Sequence, residues 1–213
     1  MRKVPFVQGE FYHIYNRGVD KRNIFQDQKD LKRFIQSMKE FNTVEPIGSI
    51  YANSFDKDQL RRPTSKLVNF ICYCLNPNHF HFILEQLEDN GISEFMKRLG
   101  GYTKYFNERY KRSGTLFQGK FKSKHINDDN YLLHLSAYIN LNHKVHKYND
   151  DLLKLSHSSW EEYIGESSNF CSKNIVIGQF DDKEEYRKFA LSALENILNK
   201  KKADKELDKL LLE

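Results

Sequence analysis

Hydrophobic positions along the chain change period several times, and each change marks an element. Phe11-Tyr12-His13-Ile14-Tyr15 reads as a short aromatic strand, closed by the turn signal Asn16-Arg17-Gly18. Leu31, Phe34, Ile35, Met38 and Phe41 then recur at helical spacing, behind Asp27 and Asp30, whose charges suit a helix N-terminus. A polar stretch from Asn42 to Ser65 interrupts the pattern, with Ile47, Ile50 and Tyr51 leaving room for a further strand. Leu67 to Leu75 is almost continuously apolar and rich in β-branched and aromatic residues, which fits a buried strand. Asn76-Pro77-Asn78 turns the chain into a second strand, His79 to Leu84, so the two are expected to pair as an antiparallel hairpin.

A second helix is predicted from Ser93 to Tyr110, with Ile92, Phe95, Met96, Leu99, Tyr102 and Phe106 on its buried stripe. Gly100-Gly101 in its middle costs about 2 kcal/mol relative to two alanines and points to a kink or a close backbone approach. Leu116 to Ile126 reads as a further strand. Asn127-Asp128-Asp129 then caps a third helix from Asn130 to Lys144. Beyond Tyr148 the chain is polar, with an amphipathic stretch from Lys183 to Leu198 and a charged end that frays or forms an exposed helix.

The order strand, helix, strand, strand, helix, strand predicts an α+β fold. It matches a ferredoxin-like antiparallel sheet with helices packed on one face, plus a C-terminal helical extension. The expected division is residues 1–148 as the principal domain and 149–213 as the extension packed on it.

Composition narrows the classes. The aromatic complement of 16 Phe and 12 Tyr is enough for a substantial core. The three cysteines form no CxxC pair, which argues against a disulfide framework and for a reducing, cytoplasmic setting. No apolar run is long enough for a membrane span, and no apolar signal core follows the first residues. The net charge of +5 is mild, but its distribution is uneven. Between Lys97 and Lys124 basic residues face a single acid, Glu108, and alternate with Tyr102, Tyr105, Phe106, Tyr110, Phe117 and Phe121. That mixture suits a polyphosphate with stackable bases; the plainer reading is a solvated face.

Two constellations carry possible chemistry. On a strand, His79 and His81 project from one face while Phe80, Phe82 and Leu84 enter the core from the other. Two such imidazoles reach a single divalent ion; alternatively they are partly buried, hydrogen-bonded rings. On the third helix, His134, Tyr138 and Asn142 fall at i, i+4 and i+8. A phenol there would place an oxygen nucleophile beside a metal ligand, although spacing alone also fits a packing tyrosine.

His79-Phe80-His81, with Leu75-Asn76-Pro77-Asn78 before it and Phe82-Ile83-Leu84 after it, resembles the His-hydrophobe-His motif of the HUH single-tyrosine transposases of insertion sequences. The REP-associated tyrosine transposases are the group within them that it looks most like. Further matching pieces follow in order: Tyr12 to Gly18, Phe95 to Leu99, Tyr102 to Asn107, Gly114 to Lys122, Ala137 to Asn142, and His157-Ser158-Ser159-Trp160 with Tyr163-Ile164-Gly165. The resemblance spans about Phe11 to Phe189. It implies His79, His81 and Asn142 as ligands for Mg²⁺ or Mn²⁺ and Tyr138 as nucleophile. Lys97, Arg98, Lys104, Lys120, Lys122 and Lys124 would be DNA contacts, the last three alternating onto one strand face. His143 stands where the family usually has Pro, so the helix is expected to run past Asn142, which bears on where that amide points.

The implied activity is cleavage and rejoining of single-stranded, hairpin-forming repeat DNA through a 5′-phosphotyrosine intermediate, by a monomer or a homodimer. A hairpin-DNA-binding protein that no longer cuts is the alternative. A replication-initiator or relaxase nickase shares the chemistry.

Overall fold

In the computed structural model, which describes residues 5–50, 65–146, 148–165 and 170–210, the central hairpin is where the apolar pattern places it. Strands β2 (Val68–Asn76) and β3 (His79–Gln86) pair antiparallel, with Asn76 opposite His79 across the Pro77-Asn78 turn. β1 (Phe11–Arg17) lies on the other side of β3, Tyr15 opposite His81 and Arg17 opposite His79. β4 (Lys122–Ile126) and the two-residue β5 (His157–Ser158) complete an all-antiparallel sheet in the order β4-β1-β3-β2-β5. The first four strands carry the ferredoxin-like order.

Strand alternation gives the sheet two apolar faces. Phe80, Phe82 and Leu84 meet α1 (Gln28–Glu40), α2 (Gly91–Leu99) and α3 (Tyr102–Arg109) through Phe34, Met38, Phe95, Leu99 and Tyr102. Each such buried side chain contributes roughly 1.5–3 kcal/mol. The side chain of Asp27 caps α1 by accepting from the backbone N–H groups of Lys29 and Asp30. The predicted second helix is divided at Gly100-Gly101, where an added Cβ would stand 3.1 Å and 3.0 Å from the carbonyl oxygens of Lys97 and Arg98. The glycines therefore mark the kink.

The other face is covered as well. Cys72, Cys74 and Ile83 pack under α4 (Asp129–Asn140), with Trp160 and Tyr163 of α7 (Trp160–Ile164), Val176 of α8 (Asn174–Ile177) and Tyr186 of α9 (Lys183–Leu210). Helices thus occupy both faces. The set read from the split βαβ order lies on one, and the third helix with the C-terminal extension closes the other. A β-bulge at Ile71 frees backbone groups of β2, and this extension takes them up: Tyr163 donates to the Ile71 carbonyl at 2.8 Å and Ser172 N–H to that of Phe70 at 2.7 Å.

Two boundaries differ from the sequence expectation. The last central strand begins at Lys122, because Gly119 adopts a left-handed turn (φ 68°) and Phe117 makes only an isolated bridge to Gly18. Lys120 consequently lies off the strand, and the expected three-lysine stripe is reduced to Lys122 and Lys124. The third helix ends at Asn140; Leu141 leaves helical geometry (φ −107°, ψ 10°) before α5 (Asn142–Val145) starts. After α6 (Asp150–Leu153) and the extension, α9 continues as helix through Leu210. The possible strand around Tyr51 falls largely outside the described residues.

Candidate active site

The pairing register assembles one polar cluster on the face of β3 opposite Phe80 and Phe82. Because Tyr15 and Arg17 sit opposite His81 and His79, the alternate residues His13, Tyr15 and Arg17 of β1 share the histidines' face. Lys122 and Lys124, opposite Tyr15 and His13, join them from β4. His13 Nε2 lies 2.9 Å from His81 Nδ1, and the Tyr15 ring stacks on both imidazoles. Tyr15, Arg17, His79, His81 and Lys122 line a cleft of about 520 Å³.

α4 brings Tyr138 to that cleft, its ring 5.9 Å from His81 at 77°. Burial raises the phenol's pKa, and the neighbouring Asn142 amide offsets part of the rise. His134, expected on the same face, is exposed instead and packs on Phe189. The break at Leu141 settles the aim of Asn142: its buried side chain accepts from Asn76 Nδ2 at 2.8 Å and places Oδ1 3.1 Å from His79 Nε2.

Hydrogen bonds fix the tautomer of His79. Asn78 donates to the Lys21 carbonyl at 3.1 Å, which turns its Oδ1 to His79 Nδ1, 2.6 Å away. Nδ1 is then the protonated nitrogen and Nε2 an acceptor. Asn76 Nδ2, which carries two hydrogens, lies 3.1 Å from this nitrogen and 2.8 Å from Asn142 Oδ1, so one amide donor serves both acceptors. The two acceptors stand 3.1 Å apart, close to the roughly 3.0 Å between adjacent ligands of a six-coordinate hard ion with ~2.1 Å bonds, so a cation that displaced the Asn76 donor would find both within reach. Burial also pushes His79 down to about 4 and His81 well below its ordinary value, so both rings are neutral near pH 7, as ligands must be. Among the described residues no set of three or more His, Cys, Asp or Glu side chains converges as a metal site, and the expected ligand set contains only two imidazoles beside the amide.

The basic residues divide. Lys122 lines the cleft, and Lys124 stands beside His13 with its Nζ 4.2 Å from the centre of the Tyr131 ring. Lys97 and Lys120 border a separate depression floored by Phe34, Phe80 and Met96, on the far side of the sheet. Lys104 is exposed and 3.8 Å from Glu108. Arg98 is drawn inward: it pairs with Glu94 at 2.9 Å and donates to the carbonyls of Thr43 and Val44, which commits its guanidinium to the fold. Arg109 is likewise held by Asp27 and the fully buried Asp30, so the positive run is weaker than its sequence suggests.

Sequence reasoning gave no site role to His13, Tyr15, Arg17, Asn76, His146 or Tyr148. The first three carry a legible signal, alternation within Tyr12 to Arg17. The last two do not: His146 packs on His79 with ring centres 4.8 Å apart, and Tyr148 stacks on His146, contacts that depend on the fold.

The family comparison bears out the resemblance over part of the chain. Residues 61–142, a span that includes both histidines, Tyr138 and Asn142, match the family model described as "Transposase IS200 like". A solved structure of a REP-associated tyrosine transposase bound to a REP hairpin is similar at 13% identity and a TM-score of 0.47, covering 77% of this chain and 84% of that chain. No curated protein matches the sequence. Among the described residues no helix is long and apolar enough to cross a membrane.

Proposed function

Starting from the transposase match over residues 61–142, we propose that this chain is a metal-dependent strand transferase that cleaves and rejoins single-stranded, hairpin-forming DNA through Tyr138. The observation that carries the reading is that Tyr138 shares a cleft with His79 and His81 within one chain. That arrangement supports chemistry in a single protomer.

His79, His81 and Asn142 would hold Mg²⁺ or Mn²⁺, which when bound supplies Lewis-acid polarisation of the scissile phosphate. Arg17, Lys21 and Lys122 line the same cleft and bind the strand's phosphates. The Tyr138 oxygen attacks phosphorus, the bond to the upstream 3′ oxygen breaks, and a 5′-phosphotyrosine link remains. The phenolic proton is lost and the departing 3′ oxygen gains one, so the step is proton-neutral. Attack by another 3′-OH on the phosphotyrosine reverses it and joins strands. Because burial holds the phenol above its ordinary pKa, the free tyrosine is a weak nucleophile, and its activation depends on the charged phosphate site.

The test is incubation with end-labelled hairpin DNA carrying a single-stranded tail, plus Mn²⁺. A denaturant-resistant protein–DNA adduct is expected, absent in Tyr138→Phe. DNA that is retarded but uncut by the unmutated protein would overturn cleavage and leave the non-cutting binder.

A further inference from the structure

Beside the cleft of Tyr138 lies a second one, of about 440 Å³, and the two share a wall made by His146 and Tyr148. Its lining comes from α5, from His146 and Tyr148 beyond it, from the end of α6 through β5, and from the start of α7. Its lining includes His143, Lys144, Ser156, His157, Trp160 and Glu161. Two of its lining residues, His143 and Ser156, carry buried polar atoms, Nδ1 and Oγ, with no hydrogen-bond partner among the described residues. Buried groups of this kind cost about 1–3 kcal/mol each when left unsatisfied, so an unpaired pair beside one cavity favours a polar occupant that a turn of these side chains lets them reach.

The remaining lining describes that occupant. Flat rings dominate: Tyr148 stacked on His146 with centres 5.2 Å apart, His157 against Tyr73, and Trp160 with Lys144 Nζ 5.9 Å from its ring centre. The volume lies in the range for one small planar ligand. Lys144 offers one cation, and Glu161, the acidic residue among those lining the cavity, opposes deep entry of a phosphate. A planar base with hydrogen-bonding edges therefore fits inside, with its backbone phosphate left at the mouth.

We propose that this cavity binds one unpaired nucleobase of single-stranded DNA, a nucleotide flanking the phosphate that lies against Tyr138. The inference rests on the strand-transfer reading for the identity of the polymer. The shared His146–Tyr148 wall gives the strand a continuous path: the scissile phosphate sits on one side, and the neighbouring base turns over Tyr148 into the second cavity. His143 Nδ1 and Ser156 Oγ would read the edge of the base. Aromatic faces would supply sequence-tolerant stacking.

Trp160 is the single tryptophan of the chain and lies in the cavity wall, so its fluorescence reports occupancy directly. The experiment titrates Tyr138→Phe protein, which leaves DNA intact, with hairpin oligonucleotides bearing a single-stranded tail, without metal. A set of these oligonucleotides carries one abasic site at each tail position in turn. Expected are a change in Trp160 emission on binding and one tail position whose abasic form binds about 10-fold more weakly and removes that change. Ser156→Leu and His143→Leu are expected to reproduce the loss with undamaged DNA; the abasic set on otherwise unmutated protein decides the matter if either variant fails to fold. Emission that stays constant as DNA saturates the protein, or equal weakening at every tail position, would overturn the site. The two readings separate cleanly: a missing Tyr138 adduct with an intact Trp160 response removes strand cleavage and leaves the base cavity standing.

Discussion

His13 and His81 meet edge to edge across neighbouring strands, Nε2 to Nδ1 at 2.9 Å. The contact has a tautomeric consequence. For His81 to offer its Nε2 lone pair to a metal ion, its Nδ1 must carry the proton, and His13 Nε2 is then the acceptor that holds the ring in place. Replacing His13 by Leu is expected to lower Mn²⁺ affinity about 10- to 100-fold, with His13→Gln, which retains an acceptor, falling less. An electron-paramagnetic-resonance titration of free Mn²⁺ measures this directly. Equal affinity in all three proteins would reduce His13 to a packing residue.

Asn142 offers a second handle on the same ion. Its Oδ1 lies 3.1 Å from the acceptor nitrogen of His79, and Asn76 Nδ2 donates to both, so a cation bound there would take the place of that donor. Asn142→Asp is expected to raise Mn²⁺ affinity by adding charge to the donor set, and Asn142→Ala to lower it. If Ala and Asp bind Mn²⁺ as the unmutated protein does, Asn142 is a structural amide only.

Stability should fall in mild acid. Burial pushes His13, His79 and His143 down to about 4, from an ordinary value near 6.5. Between those values the unfolded chain binds protons that the folded chain excludes, so the contribution is complete above about pH 6.5 and is lost as pH drops toward 4. His13 and His79 each contribute up to about 1.4 kcal/mol per pH unit over that window, and the more exposed His143 contributes less. Urea unfolding in the presence of a chelator, compared at pH 7 and pH 5, is expected to show a clear drop in midpoint. A flat profile would show that these rings are hydrated in the folded protein.

Ser159 ties the extension to the sheet. Its hydroxyl accepts from Tyr73 N–H at 2.9 Å and donates to Asn140 Oδ1 at 2.6 Å, while Asn140 donates to the buried Tyr186 hydroxyl at 2.9 Å. Removing the hydroxyl in Ser159→Ala strands an acceptor on Asn140 and weakens the pairing of a β2 amide, for a loss of about 1–3 kcal/mol. Denaturant unfolding reads this out, and a change under 0.5 kcal/mol would mean that water substitutes for the hydroxyl.

Asn140 also accounts for one place where sequence reasoning stopped short. The hydrophobic period continues through Leu141, so a single helix to Lys144 is the natural local reading. In the fold, Asn140 is held by Ser159 and Tyr186 while Leu141 is fully buried, and the backbone turns there. That turn carries Asn142 to His79. Likewise, Arg98 and Arg109 read as free cations in the chain, and only their distant partners, Glu94 with the Thr43 carbonyl and Asp27 with Asp30, show them committed to the fold.

What the sequence determined by itself is what short-range physics controls. The alternation that separates His79 and His81 from Phe80 and Phe82, the Asp27 and Asp128 caps, the Pro77-Asn78 turn and the glycine kink each depend on neighbours a few residues away. Tertiary structure decided which distant groups meet. His13 reaches His81, Asn142 reaches His79, and His146 with Tyr148 divides two cavities, because strand register and helix breaks bring together residues far apart in sequence. Periodicity tells a side chain which face to take; it carries no information about what another segment will place opposite it.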